Sequence, residues 1–183
     1  YPLLSVLFLF YWGCEEGPIN YDSLIRKIGV FYFENDDKPY SGSYISYYGN
    51  GQKETEGVII NGIRHGFWTH WNEHGDKIEE GEFIDNEREG RWEYWFCNGQ
   101  MMYEGNFKNN EEEGLWISWY ENGNKMFEGT YKNGVEDGFW TFWDEKGNKK
   151  LDGNLKDGEK VGQWTHYKED GYIKSEFYHE NNF

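Results

Sequence analysis

The stretch from Gly114 to Gly134 reads GLWISWYENGNKMFEGTYKNG. Its first tryptophan recurs every 24 residues along the chain, and its glycines recur at the same interval. Repeats with a period of about 20 to 50 residues are typical of units that cannot bury a face alone and therefore stack on their neighbours. The tryptophans of this series are Trp68, Trp92, Trp116, Trp140 and Trp164.

Each unit has the pattern of a β-hairpin. We number a unit from its first glycine as position 0, so that the six units start at residues 42, 66, 90, 114, 138 and 162. Positions 1 to 6 are rich in aromatic and β-branched residues, and a pair such as Asn122-Gly123 follows at positions 8 and 9. Such a pair between two strand-like runs indicates a tight turn, because the turn requires positive φ. The sequence therefore predicts an all-β fold, an elongated single-layer antiparallel β-meander of about six hairpins.

The turn position also predicts the strand register. If positions 8 and 9 form a two-residue turn, Trp68 faces Gly81, and a four-residue connection at positions 19 to 22 brings Trp92 to the other side of Gly81. Two indole rings are then expected to stack over a glycine, since a side chain between them would leave no room. Phe33 and Phe177 stand at the ends of the array where this glycine is expected, and we predict that they fill the space.

The register divides the side chains between two faces. The aromatic face carries the first tryptophan of each unit together with positions 4, 13 and 17. The mixed face carries a second tryptophan at position 5, expected opposite position 12, and an acidic residue at position 14. These acids either bind a partner or pair with nearby Lys or Thr and blunt an exposed sheet. The candidate partner surface consists of Glu56, Glu80, Glu104, Glu128, Asp152, Trp71, Trp95, Trp119 and Trp143.

Composition limits the partners. The 183-residue chain has a formal net charge of -16, which disfavours nucleic acid and anionic lipid headgroups because both would repel it. Its mean hydropathy of -0.99 is low for a conventional core, but 21% of its residues are aromatic, whereas disordered chains are poor in aromatic residues. The expected partner is a protein, for which a basic surface would be electrostatically suited, and a neutral carbohydrate is the alternative.

The amino terminus resembles a targeting segment. Residues 1–13 are almost continuously apolar and precede Cys14, as in a bacterial lipoprotein signal in which the cysteine is acylated. A cleaved secretory signal and a retained apolar anchor are the alternatives. We therefore expect a signal at 1–13, lipidation at Cys14, a linker at 14–29, and a repeat array at 30–183. The expected location is the bacterial cell envelope, with membrane contact only through the lipid, or secretion if Cys14 is not acylated.

The unit in Gly114–Gly134 resembles the bacterial variant of the MORN repeat, and the segment Asp37–Gly42 is similar to the one that often precedes such arrays. The resemblance implies an elongated, curved antiparallel sheet. It also implies scaffolding or membrane-associated roles, as in eukaryotic members, or the antitoxin-like role with which bacterial members are often labelled.

Few sequence patterns indicate a catalytic or metal-binding site. His70 to His74 matches H-x-x-E-H, but two histidines at this spacing converge on zinc only on a helix, and this stretch aligns with a strand and turn. Acids of adjacent units would lie about 10 Å apart, at the limit for inverting glycosidases, and their regular repetition argues against one catalytic centre. Cys97 is expected at the solvent edge. We expect no metal, no cofactor and no enzyme activity, and interpret the chain as an envelope-anchored interaction scaffold or, alternatively, a carbohydrate-binding module.

Overall fold

The fold is a long β-sheet built from consecutive hairpins. The computed structural model describes residues 19–20, 24–34 and 36–179, with the side chains of 24–34 and 36–176. These residues form no helix that could cross a membrane. The strands are β1 Ile19–Asn20, β2 Leu24–Lys27, β3 Val30–Phe33, β4 Gly42–Tyr47, β5 Lys53–Ile60, β6 Ile63–Trp71, β7 Lys77–Ile84, β8 Glu87–Trp95, β9 Met101–Lys108, β10 Glu111–Trp119, β11 Lys125–Lys132, β12 Val135–Glu136, β13 Gly138–Trp143, β14 Lys149–Lys156, β15 Glu159–Tyr167 and β16 Ile173–His179.

The predicted antiparallel meander is confirmed. From β4 to β16 each strand pairs with the next along the chain, except that β12 pairs only with β11, and the sheet does not close on itself. One pair departs from the pattern, because β1 lies parallel to β4 at the first edge. The segment 14–29, expected as a linker, contributes β1 and β2, and β2 pairs with β3 in a separate hairpin.

The hairpin turns have three loop residues, not the two that were predicted. In the fourth unit, the amide of Tyr120 donates to the carbonyl of Asn124 (2.8 Å), and the amide of Gly123 donates to the carbonyl of Tyr120 (2.9 Å). Gly123 has a φ of +87°. This arrangement is a type I turn followed by a left-handed glycine, which forms a bulge with the opposite strand. Only the glycine of the Asn-Gly pair needs positive φ here.

Two-residue turns occur instead between the units, where a four-residue connection was predicted. Asn109 and Asn110 have φ of 52° and 67°, and they join β9 directly to β10 through the pair Lys108 and Glu111. Asn, Asp and Gly tolerate this left-handed backbone, and such turns match the twist of the flanking strands. The strand then shifts its pairing between Glu113 and Ile117, which restores the predicted register. The equivalent turns are Asn61–Gly62, Asp85–Asn86, Asn133–Gly134 and Asp157–Gly158.

The predicted pairing of tryptophan with glycine is confirmed, but the predicted ring stack is wrong. Gly81 lies between Trp68 and Trp92 in the sheet. The atoms nearest to a Cβ added at Gly81 all belong to Trp92, so one indole covers each glycine. Phe83 stands edge-on between the two indoles, at 6.1 Å from Trp68 and 4.9 Å from Trp92. An edge-to-face contact places the positive ring edge on a negative ring face, which a parallel stack would not do.

The core of this sheet is therefore a row of alternating tryptophan and phenylalanine or tyrosine rings on the aromatic face. Trp92, Trp116 and Trp164 are at most 1% exposed. At the first edge, the space beside Tyr44 is occupied by β1, while Phe33 packs on Tyr40 at 5.2 Å. The prediction that Phe33 fills a glycine position in the sheet is thus wrong, because Phe33 belongs to the separate two-stranded sheet of β2 and β3. At the other edge, the backbone of Phe177 pairs with Trp164 as predicted, and its side chain lies outside the described residues.

Candidate functional site

The predicted partner surface is a continuous part of the mixed face. Positions 3 and 14 of successive strands oppose one another across the sheet, and directly opposed residues have their side chains on the same face. Acids alternate there with Ile or Thr, as in the pairing of Glu128 with Ile117 on one side and Thr141 on the other. The five acids that were singled out by sequence therefore lie in one row across the sheet.

Four of these acids are paired with lysine. The Nζ atom of Lys77 lies 2.6 Å from Glu80 and 4.9 Å from the ring centroid of Trp95. One ammonium group thus bridges the carboxylate of its own unit and the aromatic ring of the next. We call this repeated contact the lysine ladder, and its other members are Lys53 with Glu56 and Trp71, Lys125 with Glu128 and Trp143, and Lys149 with Asp152 and Tyr167.

The ladder depends on a bulge that sequence reasoning did not include. The prediction placed the position 5 tryptophan opposite position 12, but Trp119 pairs with Lys125 and Trp95 with Met101, both at position 11. The pairing shifts by one residue immediately before these tryptophans, because the second strand carries an extra, unpaired residue at position 12, Met102 or Met126. Position 11 is thereby brought opposite the ring of its own unit and next to the ring that follows.

The third unit breaks the ladder. Met101 stands where the four units of the ladder have lysine, and among the described residues no cation lies over the ring of Trp119. Glu104 is bound instead by Arg91, whose Nη2 atom is 2.5 Å from Glu104 and 2.6 Å from Glu93. The hydrogen bond to Glu104 is the main reason that the pKa of Arg91 is raised, so its guanidinium is firmly charged.

The same unit carries an additional carboxylate that sequence reasoning missed. Glu93 pairs with Glu80 on one neighbouring strand and with Glu104 on the other, so three carboxylates follow one another across β7, β8 and β9. A comparison of position 3 between units would have found it. The residues at this position in the other units are Ile45, Thr69, Ile117, Thr141 and Thr165.

Exposed apolar side chains border the acidic row. They occupy position 1 on the mixed face, where Phe67 is 58% exposed, Leu115 53% and Phe139 55%. A shallow depression of about 190 Å³ lies between one of them, Leu115, and the carboxylate Glu104 of the third unit. It is lined by Arg91, Glu104, Gly105, Asn106, Leu115 and Ile117. The mixed face thus presents charged and apolar groups together, with Glu104 at their boundary.

The histidines of the H-x-x-E-H match have separate surroundings. His70 lies on the aromatic face, where its Nδ1 atom is 2.8 Å from Thr55 Oγ1 and its Nε2 atom is 3.6 Å from Glu79. Burial lowers the pKa of His70, and the charge of Glu79 opposes that shift. His74 belongs to the hairpin loop, where its amide donates to Asn72. Within the described part of the chain, no cluster of three or more His, Cys, Asp or Glu is placed to hold a metal ion.

Of the two cysteines, Cys97 belongs to the described residues. Cys97 is exposed and free, at the solvent edge as predicted. Cys14, the predicted lipidation site, lies outside the described residues, as does the rest of the apolar segment 1–13.

The comparisons with known proteins agree with the hairpin geometry. The family model described as MORN repeat variant matches residues 88–109 and 112–133, which span β8 to β11. No curated protein matches the chain significantly. The matched segments start near the two-residue turns and contain one tryptophan–glycine pair each. The central hairpins of this repeat protein are thus similar to the MORN repeat variant.

Proposed function

We propose that this protein is a non-enzymatic scaffold that binds a protein partner through its mixed face. A sheet of hairpin repeats similar to MORN units is suited to interaction, since stacked repeats present an extended surface. The observation that carries the proposal is the row of exposed Phe67, Leu115 and Phe139 beside the charged groups of the same face. Exposed apolar groups bordered by polar residues are typical of protein interfaces.

The aromatic face is less suited to this role. Its tryptophans are at most 3% exposed and cover the glycines of the preceding strands, so they stabilise the sheet itself. A partner could not use these rings as anchors without displacing them. The exposed side chains of the mixed face, in contrast, are available without rearrangement.

Charge favours a basic partner. The net charge of -16 creates a negative potential that attracts cationic proteins and accelerates their association at low ionic strength. Binding is expected to weaken as salt is added, because the exposed charges are screened.

We further propose that a lipid on Cys14 holds the scaffold at the bacterial envelope. The apolar segment that ends at Cys14 and the acidic array after it support this proposal, because the array would be repelled by anionic headgroups. Fractionation of cells that express the wild type or Cys14→Ser tests it. We expect the wild type in the membrane fraction and the variant outside it. A variant that remains in the membrane fraction after removal of the leader would refute lipidation at Cys14.

The carbohydrate alternative rests on a different use of the same face. A half-buried indole beside a carboxylate can stack on a sugar ring and bind its hydroxyl groups. In three units a lysine already lies over the position 5 tryptophan, which leaves Trp119 as the described ladder ring without such a cover. A glycan array tests this alternative directly.

A photo-crosslinking experiment distinguishes the faces. Phe139 and Phe142 lie on the same strand, β13, but Phe139 is on the mixed face and Phe142 contacts Trp140 on the aromatic face. We would replace each in turn with a photoreactive phenylalanine analogue in cells of the source organism. The proposal predicts a protein adduct from position 139 and none from position 142. Adducts from position 142 alone, or saturable glycan binding without any protein adduct, would contradict it.

A further inference from the structure

The lysine ladder has one incomplete member, which lies in the third unit. We propose that Trp119, together with Glu104 and Glu93, forms a site for the ammonium group of a lysine side chain of the partner protein. This inference rests on the proposed function, since it names the position on the mixed face at which a basic partner is recognised.

The other units show what this arrangement binds. In the four units of the ladder a lysine ammonium lies 4.9 to 5.4 Å from the centroid of the following ring and 2.5 to 3.0 Å from the acid of its own unit. The attraction of a cation to an aromatic face adds to its attraction to the carboxylate. These units serve as an internal comparison, because the same backbone register places a ring and an acid around one ammonium group.

Met101 leaves that ammonium position without a charge. A methionine side chain has nearly the length of lysine up to the last carbon atom, but it ends in a methyl group and cannot bind a carboxylate. Glu104 and Trp119 stand at the ladder positions of acid and ring, on strands β9 and β10, which pair through Glu104 and Ile117. A lysine from another molecule can therefore supply the missing group.

The local charge favours a cation at this place. Glu80, Glu93 and Glu104 are consecutive across the sheet, and Lys77 neutralises the first of them. Glu93 and Glu104 share a single guanidinium group, that of Arg91. One negative charge is therefore not balanced by the ion pairs of this cluster, whereas each acid of the ladder has a lysine of its own.

Glu104 can be approached from solvent along a shallow depression. The side chain of Arg91 is 63% exposed, and Leu115 beside it is 53% exposed. The depression that begins at Glu104 ends at Leu115 and Ile117 of β10, the strand that also carries Trp119. The stem of a lysine side chain can thus lie on apolar surface while its ammonium group reaches the carboxylates.

Indole signals in ¹H–¹⁵N NMR spectra test the site. The probe is pentalysine, with its side-chain-acetylated form as the neutral control, titrated into the full chain at low salt. Trp119→Tyr assigns the Trp119 signal, and it is a mild change because Tyr47 and Tyr167 occupy this position in other units. We expect pentalysine to shift the Trp119 signal more than any other indole signal, and the acetylated peptide to leave it unchanged.

Two further variants give matched outcomes. Met101→Lys completes the ladder from within the chain and is expected to lower the pentalysine affinity measured at the Trp119 signal by about two- to fivefold, the factor typical of an exposed cation–π contact. Lys125→Met creates a second gap and is expected to make the Trp143 signal responsive. If Trp119 does not shift, or if Met101→Lys responds like the wild type, the site is refuted.

The failure of this inference is distinguishable from failure of the proposed function. A protein adduct at position 139 that persists unchanged in Met101→Lys would support the scaffold proposal and refute the lysine site. A shift of the Trp119 signal with pentalysine but not with the acetylated peptide, without any protein adduct on the mixed face, would support the cation site and refute the scaffold proposal.

Discussion

The Cβ atom that Gly105 lacks would lie 2.0 Å from the Cδ2 atom of Trp116. This distance is far below the contact distance of two carbon atoms, so the indole occupies the space of a side chain. Trp116 is fully buried although the described residues form no second layer over this part of the sheet. Burial of the ring therefore depends on the absence of a side chain on the neighbouring strand.

Gly105→Ala is expected to destabilise the protein by about 1 to 3 kcal/mol, because Trp116 must move out of a well-packed position. Gly49→Ala is the matched control, since no atom lies within 4 Å of its added Cβ and its φ is not positive. Thermal unfolding of both variants measures the difference. Equal melting temperatures would show that the ring can move at no cost.

The two-residue turns should be sensitive to β-branched residues. Asn109 has a φ of 52°, which a β-branched residue adopts only with strain. Asn109→Val is therefore expected to lower the free energy of unfolding by about 1 to 2 kcal/mol, while Asn109→Gly stays close to the wild type. Urea denaturation distinguishes the two. A valine variant as stable as the glycine variant would mean that the turn changes type.

His70 should make stability depend on pH. Its pKa is lowered in the folded state from the ordinary value of 6.5, mainly by burial. The unfolded chain therefore takes up the proton first, and stability falls as the pH drops below about 6.5 toward the folded pKa. His70→Ser, which introduces the residue found at Ser46 and Ser118, is expected to lose less stability between pH 7.5 and pH 5.5. If both proteins lose the same amount in urea denaturation, His70 is not the group responsible.

Glu93 should carry a cost in stability. It opposes Glu80 and Glu104, and like charges directly opposite one another destabilise a sheet. Glu93→Thr, which introduces the residue of Thr69, is expected to raise the free energy of unfolding by about 0.2 to 1 kcal/mol. The gain should shrink in high salt, where the repulsion is screened. The same variant should bind pentalysine more weakly, so a lower melting temperature or stronger binding would contradict the charge argument.

Much of the fold could be predicted because its determinants are local and periodic. The 24-residue interval predicted the number and order of the hairpins, and the residues Asn122 and Gly123 predicted where each hairpin turns. The opposition of Trp92 and Gly105 was predicted from a two-residue turn, and it holds although the loop has three residues, because an extra residue in the second strand restores the pairing.

The errors arose at the connections between strands, where the backbone conformation changes the number of residues between two paired positions. The loop glycine adds a bulge, and the turn at Asn109 and Asn110 is two residues shorter than expected. Each deviation is offset separately. Within a hairpin, one extra residue in the second strand, Met102 in the third unit, offsets the three-residue loop, and between units a two-residue shift between Glu113 and Ile117 offsets the short turn, so the register of the tryptophans was correct although neither connection was. Between the loop and that extra residue the pairing is displaced by one position, and for this reason the residue opposite Trp95 was predicted one position too late.

By itself, the sequence determined the repeat, the register and the division of side chains into two faces, because glycine, tryptophan and turn residues act on their immediate neighbours. Only the tertiary structure decided which charges meet. Lys77 bridges Glu80 and Trp95, and the row through Glu93 exists only because three strands lie side by side. Contacts between strands depend on a shift of a single residue, and that shift is set by bulges whose position the pattern of residue types did not reveal.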